Sequence, residues 1–245
     1  MDNELKLLLE NFKKILKEDE VNNSDLALCI KKDSPDMKFV LYNYRQLLLY
    51  DRLVDIRKFS SYTFIKYIAE EYLIGMMSFR NQKHSHCEGS MEVQLSAVNK
   101  KYQGGGFGKM LYGLAMTYFY PKPIMADRGD VSKEASRVWK SLENNPKVEK
   151  LPPSKEPYVG KFDNIYSPKT KPKDDDCIVY DKTRDEINKA YRYSSGENKQ
   201  LLNNLIKNHE KFLEILQSKY KLKSNYMTEI LLLSARNLFG QEYRG

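Results

Sequence analysis

A run of glycines between two regular segments is the part of this chain whose residue types could do chemistry. Four of the twelve glycines fall within residues 104–108. Residues 93–98, before them, alternate as a strand does, and apolar residues recur at helical spacing from Met110 onward. A strand that enters a helix through bare backbone presents unpaired N–H groups and the positive end of a helix dipole to an anion. The sequence therefore predicts a diphosphate-binding loop at this junction.

Neither of the two common nucleotide-binding loops fits this junction. A P-loop carries serine or threonine directly after its lysine, whereas Lys109 is followed by Met110. A dinucleotide-binding loop has the spacing GxGxxG, which residues 104–110 do not have. An ordinary flexible glycine turn is the simplest alternative. It does not account for the strand, Gln103, the glycine spacing and the helix occurring together, so we favour phosphate binding.

A third kind of phosphate loop does fit. Gln103, Gly106 and Gly108 match the pattern Arg/Gln-x-x-Gly-x-Gly/Ala, and residues 98–108 resemble the strand-to-helix junction of the GNAT acetyltransferase superfamily. In that family the loop binds the pyrophosphate of acetyl-coenzyme A, and the preceding strand pairs with the pantetheine arm. The resemblance implies an acetyl-coenzyme A site formed by Ala97, Val98, Gln103, Gly104, Gly105, Gly106, Phe107, Gly108, Lys109 and Ser132.

A second segment extends the resemblance. Residues 124–127 predict a short buried strand, and Ser132 is a suitable N-cap for a helix that should end near Asn144. This strand and helix resemble the second conserved element of the family, with Trp139 where many members have a tyrosine. Residues 127–132 are similar to a subgroup that bacteriophages commonly encode.

The resemblance implies an α/β fold with a mixed, mostly antiparallel central sheet, whose central parallel strands splay apart, flanked by helices. Segments rich in β-branched and aromatic residues predict strands at residues 26–30, 39–44, 62–68, 72–79 and 91–98. The last two should form an antiparallel pair joined by a polar loop. We expect three parts: an N-terminal amphipathic helix over residues 1–22, a GNAT-like domain over 23–182 and a C-terminal helical extension over 183–245.

Two helices are predicted in the C-terminal extension. Ser194 and Glu197 suggest a capping box for the first, and residues 227–239 have the spacing of the second. A GNAT core does not need these helices, which could cover the domain, form a homo-oligomer or hold the chain in a larger assembly. The N-terminal helix mixes both signs of charge on its polar face, so we expect it to pack against the domain and not on a membrane.

Transfer of an acetyl group to an amine needs a base, because a free lysine side chain has a pKa near ~10.4 and is protonated at neutral pH. Glu92 is the first candidate, since on an alternating strand it shares a face with Gln94, Ser96 and Val98. Protein-lysine acetyltransferases of the family also carry a glutamate at a similar position. A solvent-facing edge residue is the alternative role for Glu92. Asp127, at the end of the neighbouring strand, is the second candidate base.

The leaving thiolate needs a proton. Trp139 cannot supply it, because indole has no acidic group of useful strength. Ser132 or Tyr102 would have to substitute; otherwise the thiolate leaves unassisted, or catalysis has been lost. A buried core aromatic is the simpler role for Trp139.

Charge and cysteine content restrict the class of protein. The net charge of +8 favours acidic partners, including nucleic acid and anionic cofactors. Cys29, Cys87 and Cys177 lack CxxC spacing, so neither a disulfide framework nor a zinc ribbon is expected. Residues 84–87, His-Ser-His-Cys, lack a fourth ligand, and no metal is expected. No apolar run approaches the ~20 residues that span a bilayer, and the N-terminus is acidic, so we expect a cytoplasmic protein without a membrane segment.

These observations predict an acetyl-coenzyme A-dependent N-acetyltransferase whose acceptor is an amine on a protein, a polyamine or a modified nucleotide. For a viral protein the compartment would be the host cytoplasm or the virion. The second hypothesis is a structural or virion-associated protein that keeps the fold without catalysis, motivated by Trp139 and the C-terminal helices. The third is nucleic-acid binding, which rests on the net charge alone.

Overall fold

The computed structural model describes residues 22–33, 36–49, 68–80, 90–126, 131–151, 189–221 and 223–240. Within them the strands are β1 Leu26–Asp33, β2 Asp36–Asn43, β3 Leu73–Arg80, β4 Met91–Val98, β5 Ile124–Ala126, β6 Val148–Leu151 and β7 Ala190–Tyr193. The α-helices are α1 Tyr44–Leu49, α2 Phe107–Phe119, α3 Lys133–Glu143, α4 Lys199–Tyr220 and α5 Ser224–Gly240. The predicted N-terminal helix up to residue 21, the His-Ser-His-Cys loop and Asp127 lie outside these ranges.

The strands form one seven-stranded sheet in the order β1-β2-β3-β4-β5-β7-β6. Every neighbouring pair is antiparallel except β4 and β5, which run parallel. The predicted α/β class with a mixed, mostly antiparallel sheet is therefore confirmed, as is the antiparallel pairing of β3 with β4. A single parallel pair in the middle of the sheet creates the topological junction at which the candidate site lies.

Each face of the sheet is covered by its own apolar core. The first core joins Met91 and Val93 of β4 to Leu111 of α2 and Trp139 of α3. The second core, on the opposite face, joins β2 and β3 to α1 and α5, and Phe212 of α4 belongs to it. These cores fix α2 and α3 on one face, so the N-termini of both helices lie on the same side of the sheet.

Helix α4 crosses the edge of the sheet and contributes to both cores. Its early residues Leu202 and Leu205 are buried in the first core, and its later residues Phe212 and Leu216 are buried in the second. Where it passes β1, the Nδ2 group of Asn208 donates to the carbonyl of Leu26 at 2.8 Å. The C-terminal helices thus pack against the same sheet that carries the candidate site.

The regular alternation of β4 is interrupted by a bulge. Ser78 of β3 is opposite Leu95, but the next residue, Phe79, is opposite Val93, which leaves Gln94 as the extra residue. Met91 and Val93 consequently contribute to the first core, whereas Leu95 and Ala97 pack against the second. The expected shared face of Glu92 with Ser96 and Val98 is wrong, because the bulge inverts the alternation between them.

The C-terminal part of the chain differs from the prediction in two ways. Strand β7 belongs to the central sheet although it falls within residues 183–245, so the helical part begins at Lys199. The Ser194–Glu197 capping box is not formed. Both residues bind Lys147 instead: the Ser194 hydroxyl donates to its carbonyl at 3.1 Å, and the Glu197 carboxylate pairs with its Nζ at 3.3 Å.

Among the helices of the described ranges, none combines the length and the apolar character needed to cross a bilayer.

Candidate functional site

The junction between β4 and α2 contains two glycines in the left-handed region. After β4, a 3-10 turn at Lys100–Tyr102 leads through Gln103 to the helix start at Phe107. Gly104 has φ of 87° and Gly106 has φ of 81°, where an L-residue would be strained. No atom lies within 4 Å of the position that a Cβ would take at either residue. The backbone there is open to a ligand and needs glycine for its shape.

The amide groups of this loop are largely unused. Gly106 occupies the N-cap position of α2 and supplies no capping side chain. The amides of Gly104, Gly106 and the first turn of α2 (Phe107, Gly108 and Lys109) find no backbone or side-chain acceptor among the described residues. Gly105 N–H reaches the Tyr102 carbonyl only at 3.4 Å. Because the helix dipole adds positive potential at this end, the loop is a ready anion-binding surface.

One cationic side chain belongs to the loop itself, because Lys109 is exposed on the first turn of α2. Helix α3 packs beside the junction: the position of a Cβ on Gly108 lies 3.8 Å from a Val138 methyl and 3.9 Å from a Val98 methyl. The first turns of α3 carry both signs of charge, with Lys133, Glu134 and Arg137 exposed. The backbone amides and Lys109 are therefore the groups that favour a negatively charged ligand at the loop.

The edge of β4 that faces β5 is paired only at its beginning. The parallel ladder joins residues 91–93 to residues 124–126, and the Met91 N–H donates to the Pro123 carbonyl at 2.8 Å. From Gln94 to Val98 the described residues of β5 provide no partner strand. Within the described residues, which end at Ala126 on this strand, a gap lies beside the end of β4 and leads to the glycine loop.

The hydrogen bonds after the bulge decide which peptide groups point into this gap. Asn99 N–H donates to Ile74 of β3 at 2.8 Å, and Ala97 is opposite Met76 in the same ladder. Since successive peptide groups of a strand point to opposite edges, the Ser96 and Val98 N–H groups point toward the gap. The Ala97 peptide is directed at β3 instead. The sequence did not identify the Ser96 N–H as a group directed at the gap. Which peptide groups point there depends on the pairing of β4 with β3, and local sequence pattern does not reveal that pairing.

Gln103 folds back on the strand that precedes it. Its side-chain Nε2 donates to the Val98 carbonyl at 3.1 Å. That bond occupies the carbonyl at the end of β4 and leaves the Val98 N–H directed at the gap. The hydrogen bond of Gln103 therefore helps to fix the shape of the loop.

Glu92 is a buried carboxylate beside a cation. Its side chain is 1% exposed, and its Oε1 lies 3.6 Å from Arg80 Nη1. Arg80 also reaches Gln94: with the amide oxygen turned toward the guanidinium, that oxygen accepts from Nε at 3.0 Å and Nη2 at 2.8 Å. The bulge residue and the candidate base thus share one arginine, which holds both in place on the face opposite α2 and α3.

Ser132 and Trp139 have clear structural roles in α3. The Ser132 hydroxyl accepts a hydrogen bond from the Ala135 N–H at 3.1 Å, which confirms the predicted N-cap. Trp139 is 1% exposed, with ring centroids 4.8 Å from Tyr112 and 5.3 Å from Tyr191. The tryptophan is a core residue. Tyr102, the other candidate acid, donates its hydroxyl to the Glu71 carbonyl at 2.9 Å.

No metal-binding cluster of histidine, cysteine or carboxylate groups occurs in the part of the chain that the structure describes. Cys29 is buried, and burial raises the pKa of its thiol to about 12, so this cysteine is not a reactive nucleophile. Burial also lowers the pKa of His209 to about 4; its Nδ1 lies 2.8 Å from the Tyr42 hydroxyl, between α4 and β2. Both groups belong to the second core.

Comparison with known proteins identifies no relative. No protein-family model matches the chain, and neither a curated protein nor a solved structure is similar to it.

Proposed function

We propose that this protein is an acetyl-coenzyme A-dependent N-acetyltransferase of the GNAT type. The observation that carries the proposal is the N-terminus of α2, whose amides have no acceptor among the described residues and lie next to the β4 edge that has no described partner on the β5 side. A diphosphate on the loop and an extended arm along the strand would use both sets of free peptide groups at once. A simple glycine turn accounts for the loop but not for the gap beside it.

The sheet supports the same proposal. It is mixed and mostly antiparallel, and its one parallel pair is central, which is compatible with the fold that the sequence resemblance implies. The parallel strands are joined through only three residue pairs at Met91–Val93. A thioester arm would lie along the edge of β4 that has no partner among the described residues beyond that point.

The glycine loop, the end of β4 and Glu92 each have a defined task in the proposed reaction. Backbone amides from Gly104 to Lys109 hold the pyrophosphate. The Val98 and Ser96 N–H groups donate to the arm and to the thioester carbonyl, whose oxygen gains negative charge as the amine attacks. Glu92 receives the proton of the amine. The tetrahedral intermediate then collapses, the C–S bond breaks, and coenzyme A leaves as a thiolate that takes its proton from solvent. Because Glu92 is 1% exposed, this transfer runs through a water molecule or after Arg80 moves aside.

The acceptor is an amine on a protein, a polyamine or a modified nucleotide, and a bacteriophage origin is in keeping with residues 127–132. The C-terminal helices cover the second core and edge strand β1, so they contribute to the domain itself in addition to any assembly.

Isothermal titration with acetyl-coenzyme A tests the proposal. We expect saturable one-to-one binding at micromolar to millimolar concentration, competition by coenzyme A, and weaker competition by inorganic pyrophosphate. Absence of binding at millimolar acetyl-coenzyme A would remove the proposal.

One alternative function has a specific observation in its favour. Trp139 is locked in the core and Tyr102 is committed to Glu71, so the described residues near α3 include no tyrosine placed to protonate the thiolate. A scaffold that binds the cofactor without turnover would have this arrangement. Labelled acetyl-coenzyme A distinguishes the two functions: transfer to a lysine peptide, spermidine or an aminated nucleoside supports the enzyme, and binding without any transfer supports the scaffold.

A further inference from the structure

A second segment of the chain contacts the residues that lead into the glycine loop. Asn99, the residue that follows β4, is 8% exposed, and all of its polar groups are engaged. Its N–H donates to Ile74, and its carbonyl accepts from Tyr102 N–H at 2.8 Å. Its side-chain oxygen accepts from the Lys101 N–H at 3.1 Å. These bonds define the 3-10 turn that leads into the glycines.

The side-chain amide of Asn99 faces the turn at residues 68–73, in which the helical residues 68–71 lead through Tyr72 into β3. Its Nδ2 lies 2.9 Å from the Leu73 carbonyl, 3.2 Å from that of Glu70 and 3.4 Å from that of Ala69. Two N–H bonds are thus shared among three buried or half-buried carbonyls. Only an amide can make this contact, because a carboxylate of the same shape would bring negative oxygens against the three carbonyls.

Two further side chains connect the same two segments. The Tyr102 hydroxyl donates to the Glu71 carbonyl at 2.9 Å, and Lys101 Nζ pairs with the Glu71 carboxylate at 2.9 Å. The salt bridge is half-exposed and contributes little, whereas Tyr102 is 8% exposed. On its other side the turn is held by the Asn43 N–H, which donates to the Tyr72 carbonyl at 2.9 Å.

We propose that Asn99 is the positioning residue of the acyl-donor loop and that the turn at residues 68–73 sets the affinity of that loop. This inference rests on the proposed function. A glycine-rich loop has many conformations available when it is free, so ordering it on ligand binding is costly. The contacts of Asn99 and Tyr102 order the approach to the loop in advance. By reciprocity, donor binding must stabilise the turn.

Two substitutions separate this role from general stability. Asn99→Asp keeps the acceptor for the Lys101 N–H but loses donation to the turn. Asn145→Asp is the matched control, because Asn145 accepts from the Lys147 N–H at 3.0 Å in the same local geometry. We expect Asn99→Asp to weaken acetyl-coenzyme A binding by at least ~10-fold, within the usual range of coupling between sites. Asn145→Asp should leave binding within ~2-fold of wild type.

Hydrogen exchange provides a second measurement, which donor binding would not change if Asn99 had only a structural role. In the wild type, acetyl-coenzyme A should slow exchange of the amides at residues 69–73 as well as those of the loop. If Asn99→Asp does not fold, Tyr102→Phe tests the same connection by removing one hydroxyl, with an expected ~3-fold loss of affinity.

The outcomes are distinguishable. Weakened binding in folded Asn99→Asp or Tyr102→Phe, with donor-dependent protection at residues 69–73 in the wild type, supports the inference. The inference alone is overturned if the folded variants bind acetyl-coenzyme A as tightly as the wild type does. It is also overturned if donor binding to the wild type leaves exchange at residues 69–73 unchanged. A wild type that does not bind acetyl-coenzyme A overturns both this inference and the proposed function.

Discussion

Two neighbouring helices begin on the same face of the sheet, and their N-termini are treated in opposite ways. The N-terminus of helix α3 is capped by a residue of its own sequence, because the Ser132 hydroxyl accepts a hydrogen bond from the Ala135 N–H. Helix α2 begins after Gly106, which has no side chain and adopts a left-handed conformation. Serine at an N-cap stabilises a helix, and the glycine at the start of α2 supplies no such bond. The open end of α2 is the place at which the proposed function puts the ligand.

The strands before the two helices differ in the same sense. Strand β5 is three residues long and buried, with ladder partners on both sides. Strand β4 continues for five residues beyond its last partner on the β5 side within the described ranges. One strand-to-helix unit is thus completed within the protein, and the other leaves peptide groups available at both the strand and the helix. The predictions below either break this contrast or sharpen it.

Closing the open helix should have the largest effect. Gly106→Asp places a carboxylate where the diphosphate would bind, so it repels the ligand, and it strains the left-handed backbone that shapes the loop. We expect acetyl-coenzyme A affinity to fall by at least ~100-fold, measured by titration, while the circular dichroism spectrum remains that of the wild type.

Gly196→Asp is the control for added charge on an exposed glycine. Gly196 has open space around its Cβ position and lies outside the left-handed region. Its affinity for the donor should be unchanged. Equal binding by wild type and Gly106→Asp would show that α2 is not the phosphate site.

Removing the base should affect chemistry without affecting donor binding. Glu92→Gln keeps the size of the side chain but cannot accept the amine proton, and it removes the charge that pairs with Arg80. We expect transfer from labelled acetyl-coenzyme A to fall by about 100-fold or more, since general base catalysis contributes 10²–10⁴. The donor dissociation constant should change by less than ~2-fold. A variant with full transfer activity would exclude Glu92 as the base.

Acid should destabilise the second core before it affects the loop. Burial lowers the pKa of His209 from 6.5 to about 4, so the folded state favours the neutral ring. The resulting stability is present above pH 6.5 and is lost as pH falls toward 4, with a size on the order of 2 kcal/mol. Urea unfolding at pH 7 and pH 4.5 measures it.

His209→Gln is the control for this titration, because its amide can still form a hydrogen bond with the Tyr42 hydroxyl but does not titrate. It should flatten the pH dependence. A slope that is the same in both proteins would assign the acid sensitivity to other groups.

Removing the N-cap of α3 should have the smallest effect. Ser132→Ala removes the cap of α3 and should lower the free energy of unfolding by about 1 kcal/mol, as N-cap substitutions do. Donor affinity should change by less than ~2-fold and transfer should persist, because the described contact of Ser132 is with α3 itself. A large loss of transfer at full stability would instead support the predicted catalytic or cofactor-binding role of Ser132.

Local pattern was sufficient for the elements that frame the site. Alternation predicted β4, the apolar spacing predicted α2, and the cap at Ser132 predicted where α3 begins. The glycine loop was also visible, because its shape depends on residue type at consecutive positions. These features share one property: the interactions that specify them join residues that are close together in the sequence.

The features that were not predicted depend on distant residues. The bulge at Gln94 arises from pairing with β3, and Asn99 contacts carbonyls 26 to 30 residues earlier in the chain. Strands β6 and β7 pair across a long intervening segment. The Ser194–Glu197 capping box was wrong because Lys147, about fifty residues away, binds both side chains. A single sequence carries no local signal for such contacts.

The most direct test of the open loop is an amide spectrum of protein labelled with ¹⁵N-glycine during titration with acetyl-coenzyme A. The account predicts that the Gly104, Gly106 and Gly108 resonances shift together with one dissociation constant, while Gly113 in the middle of α2 and Gly196 stay in place. Loop resonances that do not move at millimolar donor, or a shift confined to Gly196, would contradict it.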